Sequence, residues 1–211
     1  MMTAAADPVV LADDALSRGD NLEAYDIAVS AQSDGQHTPR LAYIATLALA
    51  RMGDTSMALD YYDRAGLGDI DDDDILALWG RLKKDLAEKA SAKDQAELFA
   101  EASRAYREVY ENRESYYTGI NAATTALLAG DRASAEELAM KILDDPEVAK
   151  PTGFYATATA AEANILLGRG EDALETISAA VRWSDASVGS KASTFRQMML
   201  IAKIVPDMAE I

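Results

Sequence analysis

The chain has no cysteine and a single histidine. Without thiols there can be no disulfide, no zinc–thiolate site and no cysteine nucleophile. A histidine-based triad would have to use His37, which lies in SDGQHTPR, a run of turn-forming residues expected to be a solvated loop between helical units. Long apolar runs are also missing: a membrane-crossing helix needs about 20 consecutive apolar residues. The N-terminus, MMTAAADPVV, has neither the basic start nor the apolar core of a secretory leader. The expected compartment is therefore the cytoplasm. Basic residues are scarce, 20 against 36 acidic ones, giving a net charge of −16. A field of that sign repels phosphate backbones and anionic lipids, which argues against nucleic-acid and membrane partners. No segment alternates with the two-residue period of a strand, so the expected fold is all-α.

What remains is an ordinary folded composition, 49% hydrophobic and 27% charged. Its length of 211 residues suits one domain or a linear stack of small units. An internal period favours the stack. GDNLEAYDIAVSA from Gly19 and GDTSMALDYYDRA from Gly53 superimpose at an offset of 34. That offset pairs Gly19 with Gly53, Ala24 with Ala58, Ala28 with Tyr62 and Ala31 with Ala65. GDRASAEELAMKI from Gly130 and GRGEDALETISAA from Gly168 repeat the pattern at an offset of 38, with the extra residues placed in the loop DDPEVAKPTG, 144–153. The 77 residues between Gly53 and Gly130 leave room for one longer repeat.

A period of 34 with glycine at a helix–helix turn and alanine five residues later resembles the tetratricopeptide repeat (TPR). The glycine ends the first helix with a backbone that tolerates positive φ. The alanine sits where the two helices of a pair cross. A pair cannot bury its apolar face alone, so neighbours must stack. The expected architecture is a single TPR-like α-solenoid over 1–211. It has about five helix-turn-helix repeats, near 5–38, 39–72, 73–112, 116–149 and 154–184, and a capping helix at 191–204. In the third repeat the helices are expected near Ile75–Ala90 and Asp94–Glu111.

A narrower resemblance is carried by LWGRLKKDLAEKA (78–90), YYTGINAATTALLAGD (116–131) and ASTFRQMMLIAKI (192–204). Together these segments resemble the TPR-rich, TRAF-binding central region of the apoptosis-signal-regulating MAP kinase kinase kinases, a region also found in bacterial proteins. The resemblance spans about 40–204 and implies a regulatory scaffold that receives partner proteins. The chain departs from those kinases in having no Gly-rich loop with a strand lysine and no HRD or DFG triplet. It is thus expected to be a free-standing adaptor or the regulatory part of a larger multidomain protein.

In a TPR stack, first-helix positions that do not pack on the second helix line a concave groove. The frame places Arg40, Tyr43, Leu47 and Arg51 there from the second repeat, and Ala77, Arg81 and Lys84 from the third. It adds Tyr117, Ile120, Asn121 and Thr124 from the fourth, and Tyr155 and Glu162 from the fifth. Arg40, Arg51, Arg81 and Lys84 locally reverse the sign of an acidic chain, as a partner bearing carboxylates would require. Asn121 could then bond a peptide backbone and the tyrosines supply apolar contact. Another reading makes Arg81, Lys84, Asp85 and Asn121 a buried polar network fixing register between the third and fourth repeats. Gly119 is expected where a neighbouring helix comes close, because glycine otherwise weakens a helix.

Other features read as structural. DIDDDD, 69–74, lacks the glycine at the sixth position and the glutamate at the twelfth of a calcium loop, and is expected to cap the helix at Ile75. Trp79 and Trp183 are expected in the core. Met198 or Met199 should pack inward while the other faces out. Glu136–Glu137 and Asp144–Asp145 are adjacent in sequence, so their side chains diverge on a helix and serve solubility. Nothing marks a catalytic or metal site, and no cofactor is expected. The expected function is therefore non-enzymatic: a signalling scaffold that binds a protein or peptide partner through its groove. The alternative is a sensor holding a small anionic ligand between the third and fourth repeats, through Arg81, Lys84 and Asn121.

Overall fold

The computed structural model describes residues 7–186 and 188–205. The expected start of the first repeat, at residue 5, lies outside them. The described residues form helices with no strand, in a TPR-like α-solenoid. The chain divides into two compact units, one up to Ala90 and one from Ser91.

The first unit holds α1 (Pro8–Arg18), α2 (Asn21–Ser33), α3 (Pro39–Arg51), α4 (Thr55–Arg64) and α5 (Asp73–Ala87). A short 3-10 turn, Leu67–Asp69, precedes α5. Each helix packs on the next from α1 to α5, and α3 also packs on both α1 and α5. The second unit holds α6 (Ala92–Arg113), α7 (Tyr116–Leu128), α8 (Arg132–Leu143), α9 (Pro146–Ala149), α10 (Phe154–Leu166), α11 (Gly170–Ala180) and α12 (Val188–Ala202). There α7 and α10 pack side by side, with α6 and α8 against α7, α11 against α10, and α12 against both α10 and α7.

The repeat follows from a two-residue punctuation. Gly19, Gly53, Gly130 and Gly168 all have left-handed φ, between 69° and 91°. At Gly53 this lets two backbone N–H groups return to the last turn of α3, Gly53 N to the Ala50 carbonyl and Asp54 N to the Leu49 carbonyl. After two of these glycines the next aspartate caps the following helix: Asp54 accepts from Met57 N and Asp131 from Ser134 N, both at 3.0 Å, whereas Asp20 makes no such bond and Arg169 follows Gly168. Five residues after each glycine, Ala24, Ala58, Ala135 and Ala173 have no exposed surface. Only a methyl fits where the helices cross. In α5 the cap is Asp72, whose Oδ1 accepts from Ile75 N.

Two expectations need correction. Residues 144–153 are not wholly a loop: α9 forms one turn there, because Asp145 caps it and Pro146 suits the first helical position. Trp183 lies past the end of α11 and is 36% exposed, so it is not a core residue. Trp79 is half-buried, stacked on Tyr62 at 5.1 Å with the Lys83 ammonium 4.4 Å from its ring centre. Burial, and then Asp63, push the Tyr62 hydroxyl up to about 12. Met198 is buried and Met199 exposed.

Gly119 has a definite reason. A Cβ there would lie 2.8 Å from the Tyr110 ring of α6 and 3.2 Å from Ile142 of α8. Gly119→Ala is expected to lower stability in urea denaturation by about 1 kcal/mol net, overpacking of about 1–3 kcal/mol offset by about 0.5–1 kcal/mol of helix propensity. A gain in stability would show that the half-buried Tyr110 ring swings aside at no cost.

Candidate functional site

In the first unit, the groove positions of α3 are tied to their neighbours. The Arg40 guanidinium donates to Asp13 of α1 at 2.7 Å and to Asp74 of α5 at 2.8 Å, and lies 4.7 Å from the Tyr43 ring centre. The Asp13 bond is the main reason its proton is held more tightly than in an ordinary arginine, against the opposing effect of burial. Arg40 and Asp74 are 34 residues apart, so they occupy one position in successive repeats. Arg51 donates to the Leu16 carbonyl at 3.0 Å. Leu47 is buried and Ala77 partly buried. Arg81 and Lys84 are half-buried on α5, and Arg81 pairs with Asp85 one turn on, at 3.4 Å. These cations thus lie on one set of stacked helices, with two carboxylates already on Arg40.

In the second unit the positions divide. Ile120, Asn121, Thr124 and Glu162 are buried. Asn121 donates to the Tyr117 carbonyl of its own helix at 2.8 Å. The Glu162 carboxylate accepts from Thr124 at 2.5 Å and from Gln197 of α12 at 2.6 Å, so α12 covers this stretch of the α7–α10 face. Phe195 of α12 meets Phe154 edge to face at 6.3 Å. Thr124 and Glu162, expected along an open groove, do meet each other 38 residues apart, but both are buried rather than open to a partner. Sequence reading missed Gln197, because nothing local marks α12 as lying against two earlier helices.

Tyr117 and Tyr155 face solvent. They are 54% and 52% exposed and, 38 residues apart, stand at equivalent positions near the starts of α7 and α10. Tyr155 also lines a cleft of about 440 Å³ with Tyr116, Lys150 and Thr152. Burial, followed by Glu147 and Asp145, raises the Tyr116 hydroxyl pKa. Two carboxylates, Glu147 and Asp185, share the cleft wall. Asp185 accepts from Phe154 N at 3.0 Å, capping α10 from 31 residues away.

A second cavity, of about 500 Å³, lies wholly within the first unit, between the end of α2, the start of α3 and the end of α4. Its lining includes Gln32, His37, Thr38, Tyr61, Arg64 and Ile70. The Tyr61 hydroxyl donates to Gln32 Oε1 at 2.5 Å. Burial raises the Tyr61 pKa, with Tyr25 adding to the rise while the Gln32 bond and Arg64 oppose it. Gln32 Nε2 is buried and has no acceptor among the described residues, a state that costs about 1–3 kcal/mol. The sequence held no sign of this cavity beyond a lone histidine in a loop.

Comparison with known proteins agrees with the architecture. The family described as Tetratricopeptide Repeats-Sensor matches residues 19–128. None of the curated proteins matches the chain. Among solved structures, a thermophilic TPR protein of Thermus thermophilus is similar, with a TM-score of 0.71 at 14% identity over 91% of this chain and 97% of that one. At that identity the likeness speaks for the fold alone.

Proposed function

The chain belongs to the Tetratricopeptide Repeats-Sensor family, and from that premise we propose that it is a non-enzymatic, cytoplasmic interaction module that binds a protein segment at the open end of the α7–α10 face. The carrying observation is the pair of exposed tyrosines, Tyr117 and Tyr155, at one position in successive repeats. Tyrosine brings a large rigid apolar surface with a polar tip at small entropic cost, which is why it is enriched at interfaces. Lys150, which lines the cleft with Tyr155, supplies a cation for an acidic group on the partner. No helix among the described residues is long and apolar enough to cross a membrane, so the reading needs no lipid surface. The sequence resemblance to the TRAF-binding region of stress-signalling kinases supports a regulatory role, alone or within a longer chain.

Capture from lysate of the source organism, wild type beside the double variant Tyr117→Ala/Tyr155→Ala, tests this. Both side chains face solvent, so the variant is expected to melt within about 2 °C of wild type, as exposed substitutions do. Loss of the captured partner by the folded variant supports the reading; the same partner held equally by both contradicts it.

A second reading, sensing of a small molecule, is favoured by the cavity in the first unit, whose size falls within the range of about 300–1,000 Å³ common to ligand sites. The family's description points the same way.

A further inference from the structure

We infer that the cavity between α2, α3 and α4 is a binding site for a small molecule bearing an oxyanion, a carboxylate or a phosphate, held by Arg64, His37 and Gln32. The inference rests on the ligand-sensing reading and gives it a place and a ligand chemistry. The first ground is charge. The chain carries 36 acidic residues, yet among the described residues none that lines this cavity is an aspartate or glutamate, and two, Arg64 and His37, are basic. The cleft in the second unit lacks this property, since Glu147 and Asp185 line it.

The second ground is unused hydrogen-bonding capacity. Arg64 spends only Nε, on the Asp60 carbonyl at 3.1 Å, while its guanidinium carbon lies 5.8 Å from the Tyr61 ring centre. Its terminal nitrogens have no acceptor among the described residues, and a guanidinium presents them as a planar fork suited to two oxygens. The His37 ring likewise has no hydrogen-bond partner there. Gln32 adds the orphaned amide nitrogen, its oxygen fixed by Tyr61. That nitrogen is buried, and because both amide atoms turn together about the soft terminal bond of Gln32, presenting it to an incoming acceptor breaks the bond to Oε1 and frees the Tyr61 hydroxyl to donate as well. Thr38 accepts from Leu41 N through its hydroxyl oxygen, at 3.3 Å, and keeps its own proton to donate. Every one of these groups offers a donor. The remaining wall, including Ile70, is apolar and would face the body of the ligand.

His37 is the only histidine, so its ring protons give one resolved nuclear magnetic resonance signal per site. The protein is titrated with sodium acetate, and separately with inorganic phosphate, at fixed pH and with sodium chloride holding ionic strength constant. The expected result is a saturating shift of the His37 ring signals with at least one probe, and at least tenfold weaker binding in Arg64→Ala. Saturation by acetate alone identifies a carboxylate ligand, by phosphate alone a phosphate. Arg64 is exposed and outside the core, so the variant keeps the wild-type amide spectrum; Arg64→Lys should restore part of the affinity. A linear, unsaturating drift equal in wild type and Arg64→Ala overturns the site. Saturating amide shifts confined to other residues overturn this site but leave ligand sensing standing. No saturating shift anywhere sinks both.

Discussion

Ala58→Leu is expected to destabilise the protein by about 1–3 kcal/mol through overpacking, a fall of roughly 5 °C in melting temperature. Ala58 has no exposed surface, and three further carbon atoms have no room where α4 crosses its partner. Leucine at the neighbouring Ser56, which faces solvent, is the control and should change little. Thermal melts by circular dichroism of the two variants check this. An unchanged melting temperature in Ala58→Leu would refute the repeat frame, because Ala24, Ala135 and Ala173 occupy the same buried position.

Phe154→Ala is expected to cost more, about 3–5 kcal/mol, the usual loss for a buried phenylalanine. The ring has no exposed surface and links α10 to α12. It meets Tyr155 of its own helix at 5.3 Å and Phe195 of α12 at 6.3 Å, with the Lys191 ammonium 5.6 Å from its centre. Its removal leaves a cavity under α12, so protection of α12 amides from hydrogen exchange should fall along with the denaturation midpoint. A loss below about 1 kcal/mol would mean that α12 draws little stability from α10.

The difference between these two residues explains how far sequence reading reaches. Ala58 was found from sequence because a repeat writes the same packing constraint several times, and its recurrence at Ala24, Ala135 and Ala173 is visible without coordinates. The left-handed glycines and the capping aspartates Asp54 and Asp131 are legible for the same reason, since both act within one turn. Phe154 was not found. Its importance comes from Asp185 and Phe195, which reach it across 31 and 41 residues and recur nowhere else.

The candidate sites divide along the same line. Thr124 and Glu162 were placed on one face by the period, but the further bond that Glu162 accepts from Gln197 comes from outside the period. Arg40 was read as free to bind a partner; Asp13 and Asp74 engage it, and neither ion pair could be inferred from the local pattern. The first-unit cavity draws its lining from the ends of three helices, where sequence registers only turns. Tyr117 and Tyr155 were legible because the repeat holds them at one position, and they remain exposed.

Oxidative footprinting of the complex with the captured partner tests the central claim most directly, because it reads exposed side chains one by one. The account predicts that Tyr117 and Tyr155 become protected on binding, while Met57 and Met140, also exposed but outside the proposed face, react as in the free protein. Protection of Met57 or Met140 with both tyrosines still reactive would contradict it.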